Sequence, residues 1–62
     1  MEKIFSDYGI EIFKSNGQYF LRYDSGEIVS RLVDIEISEE DALRAQLSEK
    51  DAYWVIIDIS KA

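Results

Sequence analysis

The sequence predicts an α+β domain in which a three-stranded antiparallel sheet is followed by two short helices packed on one face. Three features lead there. Asn16-Gly17 separates two runs of β-branched and aromatic residues, a hydrophobic period of two persists to Ile37, and at Ser38 a capping hydroxyl precedes three acids and the period turns helical. The alternative within the same class is four strands with one helix, the fourth strand coming from residues 53–59.

The first two strands are Ile10-Glu11-Ile12-Phe13-Lys14 and Tyr19-Phe20-Leu21-Arg22-Tyr23, joined by Ser15-Asn16-Gly17-Gln18. Both central residues of a type I′ turn need φ > 0, which Asn and Gly adopt at little cost. A two-residue turn pairs Ser15 with Gln18, hence Phe13 with Phe20, Ile12 with Leu21 and Glu11 with Arg22. One face then carries Ile10, Ile12, Leu21 and Tyr23. The other carries Phe13, Phe20 and an opposite-charge pair.

Asp24-Ser25-Gly26 suits a three-residue loop with a left-handed glycine and a bulge. That register sets Arg22 opposite Ile28 and Leu21 opposite Val29, so Val29, Val33, Ile35 and Ile37 join the aliphatic face. The third strand runs from Glu27 to Ile37, with Asp34 and Glu36 pointing away from that face. A loop one residue shorter would reverse the strand's faces.

Two helices follow, Glu39 to Leu47 and Glu49 to Ser60. Ile37-Ser38-Glu39-Glu40-Asp41-Ala42 is echoed by Leu47-Ser48-Glu49-Lys50-Asp51-Ala52, and each serine stands where an N-cap belongs. Residues 53–59 read both ways: their β-branched and aromatic content favours a strand, the Ser48 cap a helix. The helical reading is preferred; it gathers Ala52, Val55, Ile56 and Ile59 on one side and makes Tyr53 and Trp54 the lid of the core.

Composition narrows the function. At 62 residues the chain is expected to form one small domain spanning 1–62, with little volume for a catalytic pocket. It has neither His nor Cys. The Ser-His-Asp triad, the Cys-His pair and zinc sites are thereby excluded, and neither enzymatic activity nor a cofactor is expected. The longest apolar run, Tyr53 to Ile57, is far short of the roughly 20 residues that cross a bilayer, and Met1 to Asp7 contains no signal-like apolar stretch. A soluble, cytoplasmic protein without membrane contact is the expectation.

The net charge is −6 and is uneven: residues 1–33 hold five acids and four bases, residues 34–62 eight acids and three bases. Direct nucleic-acid binding is disfavoured, because phosphate backbones need clustered cations. The acids Asp34, Glu36, Glu39, Glu40 and Asp41 have three readings. They are solvated strand-end and helix N-terminal charges, a surface for a basic partner, or oxygen ligands for a hard cation; the spacing fits no calcium loop, so no metal is expected. Phe13 and Phe20 form either a plain cross-strand pair or the apolar anchor of a partner or homodimer.

The hairpin beginning at Ile10, the segment Tyr19 to Glu27 and the acidic stretch Ile37 to Ala42 together resemble small acidic bacterial proteins, including the immunity type. That resemblance implies neutralisation of a basic toxin. The expected function is therefore a noncatalytic acidic protein-binding module, in its most concrete form an inhibitor of a nuclease-like toxin, with Asp34, Glu36, Glu39, Glu40, Asp41, Phe13 and Phe20 at the partner surface. The alternative is a structural protein that homodimerises through its sheet face or edge.

Overall fold

The computed structural model describes residues 1–24 and 32–60. Their order is β1 (Glu2–Asp7), β2 (Ile10–Ser15), β3 (Gln18–Asp24), β4 (Leu32–Ile37), α1 (Glu39–Ala45) and α2 (Glu49–Ser60). The strands form one antiparallel sheet in the order β1-β2-β3-β4, and the helices cover one face. The α+β class is as expected. The sheet has four strands, as the alternative held, but the added strand lies at the N-terminus and both helices are present.

The β2–β3 register is the one the Asn-Gly turn dictates, with Ile12 opposite Leu21 and Phe13 opposite Phe20. Asn16 and Gly17 have φ of 51° and 79°, both in the left-handed region. A Cβ added at Gly17 would meet nothing within 4 Å, so Gly17→Ala carries only the backbone cost. That substitution should lower stability by about 1–2 kcal/mol, read as a reduced urea midpoint with unchanged m-value. No loss at all would contradict the turn geometry.

The strand β1 was not expected, for two physical reasons. A register irregularity between Lys3 and Phe5 breaks the period of two, so Lys3 opposes Phe13 while Phe5 opposes Ile12. The turn into β2 is also formed by residues with weak turn identity. Tyr8 and Gly9 both take positive φ, 55° and 76°, giving a second tight turn with a tyrosine where Asn or Asp is usual. The Tyr8 N–H donates to Asp7 Oδ1 at 2.8 Å and helps hold it.

The third predicted strand is corrected in register. Leu21 opposes Ile35 rather than Val29, and Arg22 opposes Asp34 rather than Ile28. Pairing of Tyr23 with Val33 is incompatible with a three-residue loop at Asp24–Gly26. The residues of that loop beyond Asp24, and Val29, lie outside the described residues. Moving from Val29 to Ile35 is an even displacement, so every side chain keeps its expected face: Val33, Ile35 and Ile37 stand with Ile12 and Leu21.

The core joins Ile10, Ile12, Leu21 and Ile37 of the sheet to Ala42 and Ala45 of α1 and Ala52 and Val55 of α2. Three of the eight core side chains are alanines, all of them from the helices, which pack against each other and, through α1, on β3. Both caps form as expected. Ser38 Oγ accepts the Asp41 N–H at 3.1 Å; Ser48 Oγ accepts the Asp51 N–H at 3.1 Å and donates to the Asp51 carboxylate at 2.9 Å. The second cap starts a helix that runs through residues 53–59, so local β preference yields to it. The first helix stops at Ala45, two residues short of Leu47.

Tyr53 and Trp54 do not lid the core. With Ala52 and Val55 turned inward, helical phase puts the two residues between them outside, and they are 61% and 44% exposed.

Candidate functional site

The helix-free face of the sheet carries a row of alternating charges, one from each strand: Lys3, Glu11, Arg22 and Asp34. Antiparallel register places Glu11 opposite Arg22 and Arg22 opposite Asp34. Lys3 Nζ lies 2.6 Å from Glu11, and the Arg22 fork donates twice to Asp34, from Nε at 2.7 Å and Nη2 at 3.0 Å. The guanidinium carbon of Arg22 also sits 4.6 Å from the centre of the Phe13 ring. An apolar ring on a helix-free face is thus buried beneath a planar cation, an arrangement with its own attraction.

Asp34 is consequently engaged. The hydrogen bonds from Arg22 hold its carboxyl below the ordinary 3.8, reinforced by the cation's charge and opposed by partial desolvation. The same bonds raise Arg22. A carboxyl whose folded pKa is lowered contributes stability that is present above its unfolded value and is lost as pH falls through the folded one. Wild type should therefore melt higher than Asp34→Asn at neutral pH, and the two curves should converge as pH drops below 3.8. A constant offset across that range would show that the pair does not titrate with folding.

Phe20 is half-buried on the same face and opposes Glu36. Gln18 Nε2 donates to Glu36 at 3.4 Å, a long contact. Beyond β4 the chain turns into α1, whose first turn carries Glu39, Glu40 and Asp41. Tyr19, on the helix-covered face, donates its hydroxyl to Glu39 at 3.1 Å. Glu36 and Glu39 therefore wrap around the C-terminal end of β4 from opposite sides of the sheet.

The seven expected partner-surface residues fall into two groups. Asp34, Glu36, Phe13 and Phe20 share the helix-free face, where Arg22 covers Phe13 and neutralises Asp34. Glu39, Glu40 and Asp41 lie at the edge of the helix layer. Glu36, Glu39 and Glu40 are exposed and Asp41 is half-buried. Among the described residues none of these four meets a lysine or arginine within ion-pair distance, and no three carboxylates are placed to hold a metal ion. The remaining ion pairs join Arg44 of α1 to Asp51 and Asp58 of α2 at 3.6 and 3.8 Å.

Sequence reasoning missed the Lys3–Glu11 link and the second partner of Arg22. Neither follows without β1 and the β3–β4 register. The Tyr19–Glu39 bond had no local signal, since it joins residues brought together only by docking α1 on β3.

Comparison with protein-family models, with curated proteins and with solved structures returned no match. Among the described residues no helix is long and apolar enough to cross a membrane.

Proposed function

We propose that the protein is a noncatalytic acidic module that binds a basic protein partner at the β4–α1 junction. The observation that carries this reading is that Glu36, Glu39, Glu40 and Asp41 fall within a stretch of six residues and meet no cationic side chain that would neutralise them among the described residues. On a chain of net charge −6 such a lip steers cationic surfaces and fixes their orientation. Inhibition of a nuclease-like toxin is the most concrete form, the carboxylates standing where that partner would receive phosphate. Asp34 takes the structural part in this reading, because Arg22 already occupies both of its oxygens.

The competing reading, a homodimer through the face bearing Phe13 and Phe20, draws less support. Phe13 is buried under Arg22 and offers little area to a second chain.

The test is capture of a partner from the source cell, followed by kinetics on the purified pair. The association rate should fall about tenfold or more between low and high salt, and a Glu36→Gln/Glu39→Gln/Glu40→Gln/Asp41→Asn variant should reproduce the high-salt rate at low salt. An association rate that ignores both salt and the four substitutions would remove the reading.

A further inference from the structure

We propose that the outer edge of β4 is a strand-addition site for a partner segment in which basic and apolar residues alternate. This rests on the reading above that the partner is basic, and adds how its backbone is gripped.

The two edges of the sheet are not alike. Strand β1 carries Lys3 and a register irregularity, two devices that discourage another chain from pairing there. Strand β4 has neither. It pairs with β3 through six consecutive residues without a shift, and Leu32–Ile37 contains no lysine and no proline. It ends the strand order, so among the described residues no strand meets its outward N–H and C=O groups. A row left unpaired by any described strand is a template for an extended chain.

The side chains of β4 define which chain. Asp34 and Glu36 stand on one face and Val33 and Ile35 on the other. Val33 and Ile35 are only half-buried, because α1 packs over β3 and leaves the margin of the sheet less covered. In an antiparallel or parallel addition, residues of the new strand that share a face with Glu36 gain from a positive charge, and those beside Val33 and Ile35 gain from an apolar side chain. Glu36 is the principal charge, since Arg22 holds Asp34.

A second copy of the chain is the occupant this pattern argues against. Paired residues in an antiparallel ladder share a face, so β4 against β4 would set Asp34 and Glu36 beside their own counterparts. Like charges placed opposite one another on a sheet are destabilising.

The experiment uses the full chain, labelled for amide-resolved NMR, and three synthetic peptides of the same composition. One alternates lysine and valine, one has its lysines and valines in separate blocks, and one alternates but is N-methylated throughout, which removes its backbone donors. The alternating peptide should bind about tenfold more tightly than either control and should slow hydrogen exchange within β4. Glu36→Lys, an exposed substitution whose folding is checked by circular dichroism, should lose that binding and prefer an alternating glutamate–valine peptide instead. Equal, salt-sensitive binding of all three cationic peptides would overturn strand addition while leaving the acidic partner surface intact. Binding without protection of β4 amides, or sedimentation showing dimers joined through β4 in the absence of peptide, would overturn it as well. Loss of the salt dependence in the partner kinetics, with β4 protection retained, would remove the electrostatic reading and keep the edge.

Discussion

Leu21→Ala is expected to leave the protein largely unfolded at room temperature. Leu21 is fully buried in β3, flanked by Ile12 on β2 and Ile35 on β4, with the helix layer above it. Truncating such a leucine removes its transfer energy and opens a cavity, together about 2–5 kcal/mol. A chain of this size, with no cysteine to form a disulfide, holds a margin of roughly 3–5 kcal/mol. The loss therefore matches the whole reserve. Far-ultraviolet circular dichroism through a urea titration would show it, as a native baseline that is short or missing. Leu21→Met conserves volume and should cost less than about 1.5 kcal/mol, separating a packing defect from general intolerance of change at this strand. A cooperative transition for the alanine variant close to that of wild type would mean that the core is not centred on β3.

The second large effect runs in the opposite direction of size. Ala45→Leu should destabilise by about 1–3 kcal/mol although leucine is more hydrophobic and forms helix well. Ala45 is fully buried in the core cluster, so a larger side chain at this position has to displace its neighbours. A leucine there should shift α1 from its packing on α2 and β3, loosening the Tyr19–Glu39 bond and the Arg44 bridges to α2 with it. Leu43 and Leu47 provide the contrast, since both are exposed and their replacement by alanine should change stability by no more than about 0.5 kcal/mol. If Ala45→Leu raised the melting temperature, a void would have to exist beneath α1.

The alanine and leucine positions show how charge and apolar content divide across this small molecule. The helices turn small residues inward, so much of the larger apolar surface of α1 and α2 is left outside. The sheet contributes most of the bulky core side chains. On the helix-free side, Arg22 does for Phe13 what a helix would otherwise do, by covering the ring while donating from Nε and Nη2 to Asp34. Arg22 therefore serves structure, whereas Glu36 near the end of β4 and the three acids opening α1 have no cation to answer them among the described residues. Their different situations separate an acid that supports the fold from acids left without a neutralising cation among the described residues, although all five lie within eight residues of sequence.

Features governed by neighbouring residues were legible in the amino-acid order alone: the Asn16-Gly17 turn, the β2–β3 register it imposes and both serine caps, whereas residues 53–59 read both ways and only the Ser48 cap tipped them towards helix. Each depends on backbone preferences or hydrogen bonds spanning three or four positions. The face assignment of Val33, Ile35 and Ile37 was legible for a related reason, because a period of two survives any even slip. The register itself was not. An even displacement of β4 preserves the apolar face, and only the fit of Arg22 between Glu11 and Asp34 across three strands, together with docking of α1 on β3, distinguishes one position from the next. Strand β1 was hidden by its irregularity at Lys3–Phe5 and by a turn built on Tyr8. The acid cluster was visible in the order of residues. Which of its members is neutralised depends on contacts between distant strands, and that only the folded sheet could decide.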